Sequence, residues 1–185
     1  VFRWLYRELP ILVREVEPGD VDRAALVGGY AKLAFFALHM HHETEDAVLW
    51  DRMTPRQPAC VAHVDQMRAQ HAEVATRLAP IESQLAPWMS AADPALRDAF
   101  AADIEAVHGL LTTHLGQEED DILPFAAEVL SQEEWNEMEV HARTTLMAHR
   151  KELPKNVMSL QLGMILASVP EAEREGLTRP APAPQ

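Results

Sequence analysis

The sequence predicts an all-α fold, an up-and-down bundle of four long helices with a further helical segment at its carboxyl end. Three observations carry that expectation. Apolar residues recur at helical spacing through four long stretches, the breaks between them are short, and no strand-like alternation persists over several residues. Short connections favour antiparallel neighbours, which is the up-down-up-down arrangement. At 185 residues the chain has the length of one domain and can bury a substantial core.

The elements follow in order. Val1 to Leu9 already shows helical periodicity, so the first helix is expected to begin upstream of Val1, and Glu17-Pro18-Gly19-Asp20 ends it. Asp20 is placed to cap the second helix, which runs to about Met53. There Thr54-Pro55-Arg56-Gln57-Pro58 turns the chain. The third helix covers roughly Ala59 to Ala86. Pro80 is expected to kink it or end it early, because proline lacks the N–H that the helix ladder uses. Pro87 to Ala92 then reads as a connection. Asp93-Pro94 supplies a cap and a first-turn proline for helix four, which extends towards Asp121 and changes direction near Pro124. Ser131-Gln132-Glu133-Glu134 has the spacing of a capping box for a shorter fifth helix. The expected organisation is therefore a bundle over 1–130, a helical appendage over 131–178 and a Pro/Ala-rich extended tail over 179–185.

Charge and cysteine usage exclude several function classes. Sixteen Lys+Arg against 29 Asp+Glu give a net charge of -13, which disfavours nucleic acid as a partner. One cysteine, Cys60, supports neither a disulfide framework within the monomer nor a thiolate-rich zinc or iron–sulfur site, and it fits a cytoplasmic location. No apolar run reaches the ~20 residues that span a bilayer, so no membrane partner is expected. A homo-oligomer is compatible with the Trp-bearing and carboxyl-terminal surfaces.

The chemistry-bearing residues sit on three helices. Helix two carries His39-Met40-His41-His42-Glu43-Thr44-Glu45-Asp46, in which His41 and Glu45 are four apart and share a face. Leu38 and Leu49 flank that face. His42 and Asp46 form a second pair at the same spacing, rotated by ~100°, and rival the first. Helix four repeats the pattern with His114 and Glu118 on the stripe of Val107 and Leu111, and Glu119 competes with Glu118. Helix three offers His71 on the stripe of Met67, Val74 and Leu78, with His63 as a reserve. A single such pair would be an ordinary surface ion pair. Two pairs and a third histidine, flanked by core residues, point instead to a metal held by imidazole and carboxylate, which suits iron, manganese or zinc. Buried without a cation, Glu45 and Glu118 would cost several kcal/mol to keep ionised, or would take up protons.

Three strings, Leu38 to Asp46 with Leu49-Trp50, Gln70-His71-Ala72-Glu73-Val74, and His114 to Glu119 with Ile122-Leu123-Pro124, resemble the hemerythrin-like, or HHE cation-binding, family over roughly residues 1–130. That resemblance implies a four-helix bundle, a non-haem centre of two irons per chain with bridging carboxylates, and dioxygen or peroxide as the small-molecule ligand. It makes His41 and His114 terminal ligands, Glu45 and Glu118 bridges, and His71 the helix-three ligand. It also implies a first-helix histidine; none occurs between Val1 and Asp20, so that ligand is expected just before Val1. The oxygen-carrier form has another histidine four residues before the position of His71, which is Met67 here. The missing nitrogen leaves one iron less saturated or brings in a substitute, His63 or His42. The departure favours oxygen or redox sensing, iron handling or modest peroxide chemistry over bulk oxygen storage. A peroxide-consuming or oxidase-type enzyme and a metal-free helical interaction module are the alternatives, and a mononuclear iron, manganese or zinc site is the alternative to the iron pair. His39, His108, His141 and His149 are expected at the surface or in capping roles, and the four tryptophans in packing.

Overall fold

Caps and breakers set the helix ends, and they are placed much as the sequence anticipates. The computed structural model describes residues 1–151, 153, 163 and 167–169. Helix α1 spans Phe2–Arg14 and α2 spans Val21–Thr44. A π-helical turn, Glu45–Leu49, joins α2 to α3, Trp50–Arg56. After a 3-10 turn at Pro58–Cys60 come α4 (Val61–Ala91), α5 (Pro94–Asp121), α6 (Leu123–Val129) and α7 (Gln132–Ala148). Among the described residues there is no strand. Asp20 accepts a hydrogen bond from the Arg23 N–H, Asp93 accepts from that of Leu96, and Ser131 and Glu134 form a reciprocal capping box.

The four long helices pack α1 against α5 and α2, α2 against α4, and α4 against α5, while α7 lies against α2 and the π turn. One hydrogen bond ties the ends of two hairpins together. Gly19, in the α1–α2 turn with φ 81°, donates its N–H to the carbonyl of Ala92 in the α4–α5 turn at 3.1 Å. Both turns therefore lie at one end of the bundle, as antiparallel packing requires. Ala92 itself has φ 45°, a left-handed conformation that a side-chain-bearing residue adopts at a cost.

Two expected boundaries move. Thr54 and Pro55 lie inside α3 and the chain turns at Gln57 instead, and α4 runs past both Pro80 and Pro87 to Ala91. Each proline removes one ladder hydrogen bond at a cost of about 3 kcal/mol. Against that, Leu78, Ile81, Leu85 and Trp88 continue one buried stripe across both prolines, each burial contributing about 1.5–3 kcal/mol. Trp88 stacks on Phe100 of α5 with centroids 5.2 Å apart, so the last turns stay helical. Of the expected carboxyl-terminal appendage, α7 is described; residue 152, residues 154–162 and 164–166, and the whole of 170–185, tail included, lie outside the described residues.

The core has two apolar clusters with a polar layer between them. The larger contains Leu38 of α2, Val74 and Leu78 of α4, and Leu111 and Leu115 of α5. The smaller contains Leu49, Trp50 and Met53, Val64 and Met67, and Ile122 and Ala126. On each of the three helices the histidine and acid sequence falls between a residue of one cluster and a residue of the other.

Candidate metal centre

That polar layer holds six side chains able to ligate a metal, in two groups. His42, His71 and His114 present donor atoms within 4.8 Å of one another, and so do His41, Glu45 and Glu118. The rings of His42 and His71 stack at 4.0 Å with an interplanar angle of 11°, and His114 meets both edge-on, at 5.1 and 4.9 Å. In the second group the Nε2 of His41 lies 3.5 Å from Glu45 Oε1 and 4.0 Å from Glu118 Oε2. Glu45 also joins the groups, its Oε2 standing 3.4 Å from His71 Nε2.

Consecutive residues His41 and His42 thus serve different groups. Their faces differ by ~100°, but α2 packs against α1 on one side and α4 on the other, so its buried arc covers both. His42 is buried, as are Glu45, His71, His114 and Glu118. Of the two pairs read as rivals from spacing alone, His41, Glu45 and His42 enter the groups, whereas Asp46 stays outside both. The π turn contributes here, its ladder bond running from the Trp50 N–H to the Glu45 carbonyl, five residues back. Glu45 and Asp46 open this widened turn; Glu45 faces His41 and His71, while Asp46 Oδ1 accepts from Trp50 Nε1 at 2.7 Å and from His71 Nδ1 at 3.1 Å.

The remaining candidates fall outside both groups. Glu119 is exposed and takes a two-pronged ion pair from Arg3 of α1, at 2.7 and 2.9 Å. His63 lies at the bundle surface, 3.7 Å from Asp121, and His39 pairs with Glu82 of α4 at 2.9 Å. Met67 is fully buried in the smaller apolar cluster. The histidine that groups with His71 and His114 is His42, whereas His63 lies outside both groups. His141 departs from the surface role expected of it, being half-buried with its Nδ1 3.2 Å from the Thr44 hydroxyl.

Donor atoms here have nowhere else to go. The Nε2 atoms of His41, His42, His71 and His114 and the Oε2 of Glu45 are buried with no hydrogen-bond partner. Buried polar groups left unpaired cost about 1–3 kcal/mol each, so five converging on one layer fit a cation that would satisfy them together. Their electrostatics agree. Burial, reinforced by neighbouring imidazoles, lowers His41 to about 4 and His114 to about 3, and drives His42 lower still. His71 is lowered by burial in spite of Asp46. All four are neutral imidazoles at pH 7, the form that donates to a metal. Burial, then mutual proximity, raises Glu118 to about 8, and burial raises Glu45 to about 8. Without a cation these two carboxyls hold protons at neutral pH.

The description Hemerythrin HHE cation binding domain matches residues 2–126, two-thirds of the chain and every residue of both groups. The chain belongs to the hemerythrin family. Within this hemerythrin-family bundle, α1 contributes Phe2, whose ring stacks on His41 at 4.9 Å, while α2, the π turn that follows it, α4 and α5 contribute all six candidate donors. No curated protein and no solved structure matches the chain. No helix among the described residues is long and apolar enough to cross a membrane.

Sequence reasoning missed the groups behind the histidines. His114 Nδ1 meets Gln70 Oε1 at 3.0 Å, and Gln70 Nε2 donates to Gln117 Oε1 at 2.5 Å. No local signal marks these glutamines, because each acts across a helix interface.

Proposed function

We propose that this hemerythrin-family protein is a non-haem iron protein that binds two ions per chain and interacts with dioxygen or peroxide. His42, His71 and His114 would hold one ion and His41 the other, with Glu45 and Glu118 between them. The observation that carries this reading is the convergence of buried, unpartnered Nε2 and carboxylate oxygens in one layer between two apolar clusters. Iron in such a setting supplies reversible electron exchange with oxygen species. The chain's own residues do the rest. The four neutral imidazoles offer lone pairs without first losing a proton, whereas Glu45 and Glu118 must release theirs, and the apolar layers of Leu38, Leu111 and Leu115 on one side and Leu49, Met67 and Ile122 on the other close the site along the bundle axis.

The surroundings favour oxygen or redox sensing, or iron handling, over sealed oxygen storage. A cleft of about 520 Å³ between α2 and α4 reaches His42 and His71 and is bordered by His39, Glu43, Asp46 and Arg68. This open approach, with charged side chains at its border and alanines along its walls, has room for water and peroxide as well as dioxygen. The cytoplasmic location expected from cysteine usage belongs to the same reading.

Anaerobic loading with Fe(II), elemental analysis and then exposure to oxygen or peroxide test it. Two irons per chain and an oxygen-dependent visible absorption band support the proposal. Sustained catalytic loss of peroxide would instead make the protein an enzyme, and a chain that retains no stoichiometric metal would overturn the reading.

A further inference from the structure

We propose that Asp46 is a positioning residue for the three-histidine group, making His71 a stronger donor than His114. The inference rests on the metal reading above and concerns how the site is held rather than which residues compose it. Both histidines are backed at Nδ1, but by different chemistry. His71 Nδ1 faces a carboxylate oxygen, Asp46 Oδ1, at 3.1 Å. His114 Nδ1 faces a neutral amide oxygen, Gln70 Oε1, at 3.0 Å.

A carboxylate is an acceptor only, so the His71 Nδ1 must carry the ring proton and donate it. That leaves the His71 Nε2 lone pair aimed at the site, where it is buried and unpartnered. An anion behind an imidazole also raises its basicity towards a metal, an effect for which loss of the partner typically costs about 10–100-fold in metal affinity. The Gln70 amide orients His114 in the same sense, through its bond to Gln117 Oε1, which accepts from Gln66 Nε2 as well. It brings no charge. The three-histidine group is thus built with one charged and one neutral support.

Trp50 makes the arrangement testable. Its indole Nε1–H donates to the same Asp46 Oδ1, at 2.7 Å, and so requires an oxygen at that position. In Asp46→Asn the amide oxygen must occupy it, keeping both hydrogen bonds and the packing while removing the charge. A merely structural Asp46 would tolerate that change.

The test uses the full chain, with Zn(II) as a redox-silent probe. Nitrogen-15 NMR of metal-free protein reads the His71 tautomer, competitive chelator titration reads Zn(II) affinity, and thermal melts confirm equal folding. The expected result is an Nδ1–H tautomer in the parent and in Asp46→Asn, with Zn(II) binding weakened by about 10–100-fold in the variant. Asp46→Ala should lose both tautomer control and affinity. An Nε2–H tautomer in the parent, or Zn(II) affinity unchanged in Asp46→Asn, overturns the assignment. A parent chain with the Nδ1–H tautomer that takes up no Zn(II) overturns the underlying metal reading instead, so the two failures are distinguishable.

Discussion

Replacing Glu45 and Glu118 together by Gln should remove metal binding and also remove a pH dependence from the metal-free protein. The two carboxyls sit near 8 in the folded chain, raised from 4.5 chiefly by burial. Between those values the folded state holds protons that the unfolded state has released, so stability falls as pH rises and the loss is complete once pH passes 8. From pH 7 to 8.5 about one unit of that window remains. One unit corresponds to about 1.4 kcal/mol per group, giving about 1.4 kcal/mol if a single carboxyl titrates and about 3 if both do. At roughly 2–4 °C per kcal/mol for a chain of this size, the metal-free melting temperature should drop by about 3–12 °C. The four histidines of the layer, lowered in the folded chain from 6.5, act against this drop, but above pH 7 by only about 0.6 kcal/mol together, while burial raises Cys60 and Tyr6 above their ordinary values of 9.0 and 10.0. Glutamine mimics a protonated glutamic acid, so the double variant should melt alike at pH 7 and 8.5, and iron-loaded parent should show no such drop. Calorimetry of chelator-treated samples measures all three. A flat parent profile, or an equal drop in the double variant, would refute the reasoning.

Further outcomes follow from the placement of individual side chains. His42→Ala should cost at least one iron per chain in elemental analysis, whereas His63→Ala, which breaks only a surface contact with Asp121, should leave metal content intact. His71→Ala should lose metal more severely than His108→Ala at equal folded fraction; equal retention would sink the assignment of His71. Glu119→Gln should keep both irons and weaken only the exposed pair with Arg3, a change within about 1 kcal/mol in a denaturant melt. Ala92→Gly should raise stability by about 1 kcal/mol, because glycine adopts φ 45° without the side-chain clash; a destabilised variant would show that the buried methyl group of Ala92 matters more.

Local chemistry was enough to reveal the helices and the kind of site. The Asp20 and Asp93 caps and the Ser131–Glu134 box involve residues within one turn of each other, so they are legible in order along the chain. So is the four-residue spacing that puts His41 with Glu45 and His114 with Glu118, and the apolar flanks that carry them inward. Spacing specifies a face only to within about one residue's rotation, ~100°, and it left neighbours such as His41 and His42, or Glu118 and Glu119, in competition. Tertiary packing resolved each case differently. His42 is inside because α2 is covered on two sides, and Glu119 is outside because Arg3 of α1 draws it to the surface. The prolines of α4 likewise failed to end it, since the stripe from Leu78 to Trp88 had a partner surface on which to be buried. Asp46 behind His71 and Gln70 behind His114 are contacts between residues 25 and 44 positions apart. Such contacts depend on how far each helix is rotated and shifted against its neighbour. The two apolar clusters on either side of the polar layer fix that rotation, and they exist only once the helices have come together.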